Sequence, residues 1–268
     1  MDPADIVRRR LHNQHLSRPN LATPAAVVGW LCAVQAQDYP AAKWALGSRM
    51  RSAADGDVER AFNDGAILRT HLLRPTWHFV LPADIRWLLA LSAPRIKAGL
   101  ARRHSQLELD ARTLRRAVGA IEKSLADGIP RTRDELREVL GRIGIPSLGV
   151  ERMAHIMATA ELDGIVCSGP RKGKRFTYAL LDHRAPRGRT PARDEALAEL
   201  ASRYFRSRGP ASVHDFAKWA GLTAGDARRG LEGVKEDLRS VEATGATLWF
   251  PATRPARASI PTACLLSL

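Results

Sequence analysis

The sequence predicts a mainly α-helical protein with small β-hairpins, and three observations carry that prediction. Amphipathic segments with helical spacing follow one another along most of the 268 residues. Serine and threonine residues stand at several positions where those helices would begin. Three short runs rich in β-branched and aromatic residues, each broken by a turn, come between the helices. An order of three helices and then a hairpin therefore recurs three times along the chain.

The first copy is expected over residues 1–81. A helix capped by Thr23 and starting at Pro24 is predicted to run toward Gln35. Two further helical segments follow, A-A-K-W-A-L-G-S-R-M and D-V-E-R-A-F-N-D-G. The run I-L-R-T-H-L-L-R-P-T-W-H-F-V then predicts two short strands with a turn near Arg74.

The second copy is expected over residues 82–185. An apolar stripe from Leu114 to Leu125 predicts one helix, and the capping box of Thr132 and Glu135 opens the next. A third helix is predicted in E-R-M-A-H-I-M-A-T-A-E-L-D-G. The run I-V-C-S-G-P-R-K-G-K-R-F-T-Y-A-L-L then predicts a hairpin with a basic, glycine-containing tip.

The third copy is expected over residues 186–268. It starts with the helix R-D-E-A-L-A-E-L-A-S-R-Y-F, and Ser212 and Thr223 are predicted to cap the two helices that follow. The run L-R-S-V-E-A-T-G-A-T-L-W-F predicts a closing hairpin that turns at Thr244 and Gly245.

Three helices followed by a hairpin make the winged helix-turn-helix, in which the hairpin is the wing. We therefore predict three tandem winged helix-turn-helix units. Such units usually place their second helix against a DNA groove, and basic wing tips would reach phosphates. Winged helices also serve as protein–protein modules, so the fold alone does not assign a function.

The charge of the chain favours a nucleic-acid partner. Lys and Arg number 42 against 28 Asp and Glu, which gives a net charge of +14 and a pI near 10.7. Codon composition alone makes some chains rich in Ala and Arg basic. However, eight Lys and Arg stand between Arg171 and Arg193 against the single acid Asp182. This clustering predicts a basic patch that meets phosphate.

The residues expected to contact DNA lie on the second wing and on the second helix of the third helix-turn-helix. They are Arg171, Lys172, Lys174, Arg175, Arg228 and Arg229.

Other classes of protein are excluded by composition. No apolar run reaches the roughly 18 to 20 residues of a membrane span, and no secretory signal opens the chain, so we expect a cytoplasmic protein without membrane contact. Cys32, Cys167 and Cys264 stand far apart and predict reduced, buried thiols. His12 and His15 have helical spacing but lack a third ligand, so no metal is expected.

Gln35 and Gln37 stand at the end of the first predicted helix, in the segment Q-A-Q-D-Y-P. Residues two apart point to different sides of a helix, whereas in an extended segment they share a face. Pro40 disfavours helix at Tyr39, so we expect the helix to fray near Gln35 and leave Q-A-Q partly extended. Both amides would then converge on one small polar object such as a water. The alternative is that the two glutamines cap the C-terminus of the helix.

Three stretches resemble one known family. They are Q-A-Q-D after the first amphipathic helix, L-R-T-H-L-L-R-P-T-W-H-F-V as the first wing, and G-P-A-S-V-H-D-F-A-K-W-A-G-L-T in the third copy. These stretches look like those of the AlkZ/YcaQ-like alkylpurine DNA glycosylases, often labelled winged-helix DNA-binding proteins. The resemblance covers nearly the whole chain.

The resemblance implies tandem winged helices around a DNA-binding concavity and a catalytic signature of glutamine, an aliphatic residue, then glutamine or aspartate. Gln35, Ala36 and Gln37 match the double-glutamine branch, so Gln35 and Gln37 would be the catalytic residues. The residues expected to support the site are Asp38, Arg74 and His78.

The implied activity is that of a monofunctional DNA glycosylase without metal or cofactor. Its substrate would be double-stranded DNA carrying purines alkylated at N3 or N7, including bulky adducts or crosslinks. We expect a monomer associated with the nucleoid. An alkylated purine is already cationic and leaves without a general acid, so the enzyme must hold water near C1′ and stabilise an oxocarbenium-like transition state.

One departure from the family keeps other functions open. Its members continue through an L-L-P-x-Y-D-E-Y-like segment and a β-rich region, whereas this sequence stops at T-A-C-L-L-S-L. We therefore expect the third unit to lack the family's C-terminal β region. The alternatives are a non-catalytic DNA-binding regulator and an inactive truncated paralogue.

Overall fold

The structure is a computed structural model that describes residues 1–145, 149–188, 190–243 and 245–252. These residues are mainly helical with small antiparallel sheets, which confirms the predicted fold class at that level. No helix in these ranges is long and apolar enough to cross a bilayer. Thr244 of the third predicted turn, Cys264 and the stretch T-A-C-L-L-S-L lie outside the described residues.

The described chain packs as two compact units. The first combines residues 1–61 with the described residues from Thr190 onward, and the second comprises the described residues from Phe62 to Arg189. The predicted division into 1–81, 82–185 and 186–268 follows the recurring order of elements, and it stays a prediction.

The N-terminal elements follow the predicted order, with one additional helix at the start. They are α1 (Pro3–Asn13), α2 (Pro24–Leu31), β1 (Val34–Gln35), α3 (Tyr39–Gly47), α4 (Asp55–Asn63), β2 (Leu68–Leu72) and β3 (Thr76–Val80). Thr23 caps α2 as predicted, because its side chain accepts a hydrogen bond from the N–H of Ala26 at 3.1 Å. Strands β2 and β3 form the predicted antiparallel hairpin, in which His71 faces Trp77.

The next elements confirm the second predicted hairpin and its preceding helices. They are α5 (Ile85–Gln106), α6 (Ala111–Leu125), β4 (Arg131–Thr132), α7 (Arg133–Arg142), α8 (Val150–Leu162), β5 (Val166–Ser168), β6 (Thr177–Leu180) and α9 (Leu181–Arg184). The capping box of Thr132 and Glu135 is present at the start of α7. The sequence prediction lacked the 22-residue helix α5, which has Pro94 inside it.

The last elements are those predicted for the third copy. They are α10 (Arg193–Arg208), α11 (Val213–Ala220), α12 (Ala224–Glu232), a 3₁₀ turn (Lys235–Asp237), β7 (Leu238–Ala243) and β8 (Ala246–Pro251). Ser212 and Thr223 cap α11 and α12 as predicted.

Helix α10 organises the first unit. It packs against α1, α2, α11, α12 and β8, with Leu197, Leu200 and Phe205 fully buried. The contact with α12 is close at Gly230, where an added Cβ would lie 2.7 Å from the carbonyl oxygen of Leu197. A side chain at Gly230 would therefore push the two helices apart.

In the second unit, α6, α7 and α8 surround a continuous apolar core. Ile121, Leu136 and Ile156 lie at its centre and are fully buried. The two hairpins of this unit are also joined, because the backbone N–H of Arg69 on β2 donates to the hydroxyl of Ser168 on β5 at 2.8 Å.

Candidate functional site

The Q-A-Q segment is partly extended, as the sequence predicted. Gln35 ends the short strand β1, and Gln37 lies two residues later, before α3 begins. Ala36 is fully buried, whereas Gln35 and Gln37 on either side of it are both exposed. This alternation is that of an extended chain, in which residues two apart share a face. Neither glutamine stands at the C-terminus of α2, because that helix ends at Leu31.

The helix before the motif ends earlier than predicted. Helix α2 stops at Leu31, so Val34 lies on β1 and not on a helical face. Cys32 has φ +67° and ψ −49°, a backbone conformation that non-glycine residues rarely adopt and that reverses the chain abruptly. The expected fraying near Gln35 is wrong, because the turn at Cys32 ends the helix sharply at Leu31.

Asp38 caps the next helix. Its carboxylate accepts a hydrogen bond from the N–H of Ala41 at 3.0 Å, and α3 starts at Tyr39 with Pro40 in its first turn. The expectation that Pro40 keeps Tyr39 out of a helix is wrong, since a proline in the first turn of a capped helix lacks only an N–H that has no partner there. Asp38 thus holds the C-terminal end of the motif.

Sequence reasoning missed Arg208 of α10, which contacts the turn that precedes the motif. Its guanidinium donates to the carbonyl oxygen of Leu31 at 2.9 Å and to that of Ala33 at 3.1 Å. No signal in the sequence pairs residues that are 175 or more positions apart.

A cavity of about 420 Å³ lies on another side of α3. Pro40, Lys43, Trp44 and Gly47 line it from the helix, and the ring of Trp44 is largely open to solvent. Lys43 is paired there with Asp55 at 2.7 Å. Neither glutamine of the motif belongs to its lining, so this cavity is separate from the Q-A-Q face.

Arg74 and His78 lie on the β2–β3 hairpin, in the second unit. Arg74 follows Leu73, whose φ is +59° in the turn, and its side chain is half-buried. His78 is 1% exposed, and its Nδ1 lies 2.9 Å from the carbonyl oxygen of Thr76. Their supporting roles stay predictions.

A buried carboxylate behind this hairpin was also missed. Glu161 of α8 is 1% exposed and accepts hydrogen bonds from the backbone N–H of His71 at 3.3 Å and from Nε1 of Trp77 at 3.3 Å. The imidazole of His71 also contacts this carboxylate, and the guanidinium of Arg69 lies over the ring of Trp77 at 4.3 Å. The cluster fixes both strands of the hairpin against α8.

The basic tip of the β5–β6 hairpin is exposed, as predicted. Lys172 and Arg175 pair through two backbone hydrogen bonds of 3.0 and 3.2 Å, and Gly173 has φ +62°, which a tight hairpin loop requires at that position. Lys174 and Arg175 are exposed and make no ion pair with a described residue.

The other two basic tip residues have partners. Lys172 is paired with Glu135 at 2.9 Å. The guanidinium of Arg171 lies over the ring of Phe176 at 4.7 Å. Their cationic groups are therefore held in place on the hairpin.

Arg228 and Arg229 lie on the exposed side of α12. Arg229 is paired with Asp194 at 3.3 Å, whereas Arg228 makes no ion pair with a described residue. Each of the two predicted DNA-binding elements thus carries an exposed cation that is not neutralised by a carboxylate of the described chain.

Within the described ranges, no cluster of three or more His, Cys, Asp or Glu side chains has the geometry of a metal site. Burial first, and then the neighbouring His12, lower the pKa of His15. Cys32 and Cys167 are buried thiols outside any disulfide of the described residues, as predicted.

Known proteins resemble this chain over most of its length. The family model described as DNA glycosylase AlkZ-like matches residues 28–267. The interstrand DNA cross-link repair glycosylase of Streptomyces sahachiroi is 26% identical over 247 residues, which are 88% of this chain and 66% of that protein. The chain therefore spans slightly less than two thirds of the relative's length.

The solved structure of Streptomyces sahachiroi DNA glycosylase AlkZ shares the fold. The TM-score is 0.75 at 22% sequence identity, and the match covers 93% of this chain and 72% of that one. The family match, which includes the Q-A-Q segment, shows that the chain belongs to the AlkZ-like DNA glycosylase family.

Proposed function

We propose that this protein is a DNA glycosylase that hydrolyses the N-glycosidic bond of purines alkylated at N3 or N7. The observation that carries the proposal is that Gln35 and Gln37 are both exposed in a partly extended segment, with Ala36 buried between them. Each amide offers two donors and an acceptor, so the pair suits one water molecule aimed at a fixed target.

The proposed reaction needs little acid–base chemistry. The alkylated base leaves with the electron pair of the C1′–N bond, which neutralises its positive charge. The oxygen of water then bonds to C1′, and the proton that it loses passes to solvent. Positioning of the water and electrostatic stabilisation of the cationic sugar are the two tasks that remain for the protein, and neutral glutamines suit the first. No metal or cofactor enters this scheme.

Asp38, Arg74 and His78 are proposed as supporting residues. Asp38 carries a negative charge next to Gln37 and holds the segment as the cap of α3. Arg74 is a cation in the turn of the β2–β3 hairpin, a position suited to a phosphate. The buried ring of His78 is proposed to keep that hairpin in shape.

Double-stranded DNA is the proposed partner, bound by a monomer near the nucleoid. We propose that residues 1–81, 82–185 and 186–268 form three winged helix-turn-helix units. In the third, the sharp turn at Gly221 separates α11 from α12, and α12 carries Arg228 and Arg229. Interstrand crosslinks, from which the Streptomyces relative takes its name, are proposed as a further substrate.

Single-turnover release of 7-methylguanine from methylated duplex DNA tests the proposal. The wild type is expected to release the base, and Gln35→Ala/Gln37→Ala is expected to lose release while keeping its affinity for the duplex. Gln106→Ala is the matched control, because Gln106 is an exposed glutamine at the end of α5 that belongs to no proposed site.

A second function, that of a non-catalytic DNA-binding regulator, is supported by the exposed cations Lys174, Arg175 and Arg228. A folded wild type that binds the duplex but releases neither 7-methylguanine nor a bulky adduct would favour this function, or that of an inactive truncated paralogue, over the glycosylase.

A further inference from the structure

The backbone that enters the Q-A-Q segment has an unusual conformation. Cys32 is fully buried and has φ +67°, a value that non-glycine residues rarely adopt. Such conformations persist only where the surroundings hold them. Because Cys32 turns the chain from α2 into β1, whatever holds Cys32 also sets the direction in which the two glutamines leave.

Arg208 supplies that hold. One guanidinium nitrogen donates to the carbonyl oxygen of Leu31, the last residue of α2, and another donates to that of Ala33. The two bonds span Cys32 from both sides. The carbonyl of Leu31 has no partner within its helix, and a cation at this end is also favoured by the helix dipole.

The guanidinium is itself fixed in place. It lies over the ring of Trp219 at 4.2 Å and near that of Tyr204 at 5.7 Å. The hydroxyl of Ser207 lies 2.8 Å from one of its nitrogens. Burial lowers the pKa of Arg208 to about 10, so the group stays charged at neutral pH.

The position of Arg208 is not explained by an acidic partner. It forms no ion pair with any carboxylate in the part of the chain that the structure describes. Its bonds go to Leu31, Ala33 and Ser207. A planar fork with several donors is suited to two neighbouring carbonyl oxygens, whereas a lysine ammonium is a single point.

We propose that Arg208 is a positioning residue, which clamps the turn at Cys32 and so holds Gln35 and Gln37 in the extended arrangement that orients water. The inference rests on the proposed function for its catalytic consequence. The clamp itself is a property of the backbone and is measurable without any reaction. Asp38 would hold the other end of the same segment.

Three substitutions at Arg208 distinguish its hydrogen bonds to the turn from the packing of its side chain. Arg208→Met removes the donors and keeps an apolar stem against Trp219. Arg208→Lys keeps the charge without the fork, and Arg208→Ala opens a space that methylguanidinium can fill. Arg206→Met is the matched control, because Arg206 lies on the same helix, is exposed, and covers Trp30 at 4.8 Å.

The first readout is amide hydrogen exchange in the peptide that covers residues 32–38. Arg208→Met is expected to raise exchange there at least about tenfold, as local opening becomes easier, while Arg206→Met leaves it unchanged. The second readout is single-turnover base release, which Arg208→Met should lower about 100-fold, since small misplacements of catalytic groups have effects of that size. Affinity for the duplex should stay close to that of the wild type.

Rescue excludes a merely structural role and covers the case in which Arg208→Met does not fold. Methylguanidinium at millimolar concentration is expected to restore part of the base release of Arg208→Ala and to slow its exchange, whereas methylammonium does neither. Arg208→Lys should fall between Arg208→Met and the wild type. The Gln35→Ala/Gln37→Ala protein should not respond to either cation.

Either of two exchange results would overturn the inference: unchanged exchange at 32–38 in Arg208→Met or Arg208→Ala, or the same increase in Arg206→Met. Full base release by Arg208→Met would also contradict the inference. A wild type that releases no base would instead contradict the proposed glycosylase, and the exchange measurement would still decide whether Arg208 holds the segment.

Discussion

Lys172 at the tip of the β5–β6 hairpin donates to Glu135 of α7, with 2.9 Å between Nζ and Oε1. Lys174, two residues along the same tip, has no such carboxylate among the described residues. The two lysines are equivalent in sequence, because both belong to R-K-G-K-R, but the fold gives one of them an acidic neighbour. At the proposed DNA interface, phosphate would compete with Glu135 for Lys172, whereas Lys174 has no carboxylate of the described chain beside it.

We therefore predict different salt dependences for the two lysines. Lys174→Gln should lower the slope of log K against log salt concentration by about one, the change expected when a single lysine no longer pairs with a phosphate. Lys172→Gln should lower it by less, because Glu135 already offsets part of that charge. Fluorescence anisotropy of a labelled duplex over a salt series measures both slopes, with Lys123→Gln as a surface-lysine control. An unchanged slope in Lys174→Gln would remove this hairpin from the interface.

Removal of the acid should have the opposite effect. Glu135→Gln frees the ammonium of Lys172 and keeps the capping box of α7, because glutamine also serves at that position. Duplex affinity at low salt should therefore rise. Bonds from the backbone N–H of Thr132, and then from Lys172 and the Thr132 hydroxyl, lower the pKa of Glu135 to about 2.

The sign of this pKa shift gives the pH dependence of the same effect. A carboxyl with a lowered pKa stabilises the folded state at pH values above its ordinary pKa. This stabilisation is lost as the pH falls toward 2. The gain in affinity from Glu135→Gln should thus be constant between pH 6 and 8, roughly the range in which the carboxylate is fully ionised. A gain that disappears within that range would mean that the pair is not the cause.

Asp38 is expected to act mainly as a helix cap. Asp38→Ala removes the bond to the N–H of Ala41 and should lower the free energy of unfolding by about 1 kcal/mol. Asp38→Asn keeps a capping side chain and should change this free energy by only about a few tenths of a kcal/mol. Urea denaturation measures the difference.

Base release by the same two variants distinguishes the role of Asp38 as a helix cap from a catalytic role of its negative charge. Asp38→Asn should keep most of the wild-type rate if the carboxylate only caps α3, and Asp38→Ala should lose more. A rate for Asp38→Asn as low as that of Gln37→Ala would show instead that the negative charge itself is required.

Local signals predicted much of this fold. Thr23, Thr132, Ser212 and Thr223 all cap the helices that they were expected to cap, because a cap depends on residues within three positions. The three hairpins also follow from short runs with β-branched and aromatic residues. Helix α5 was missed, since Trp87, Leu88, Leu89 and Leu91 are buried on several of its sides and blur the helical period.

The candidate site was predictable in part. The partly extended form of Q-A-Q was predicted from Pro40, but Tyr39 and Pro40 belong to α3, so that reason was wrong. The sharp end of α2 depends on the backbone of Cys32 and on Arg208, which is 177 residues beyond Leu31. The pairing of Lys172 with Glu135 and the cluster around Glu161 are equally non-local. Contacts between distant segments leave no spacing pattern, so the sequence alone could not assign these partners.

Glu161 is expected to be a main source of stability for the β2–β3 hairpin. Glu161→Ala leaves the N–H groups of His71 and Trp77 without their buried acceptor, and each such loss costs about 1–3 kcal/mol. The midpoint of urea denaturation should fall accordingly. It should fall less in Glu161→Gln, which keeps one acceptor oxygen. Asp163→Asn is the matched control, because Asp163 forms a partly exposed ion pair with Lys97 and such pairs contribute about 0–1 kcal/mol. Equal midpoints for Glu161→Ala and Asp163→Asn would show that the buried carboxylate does not hold the hairpin.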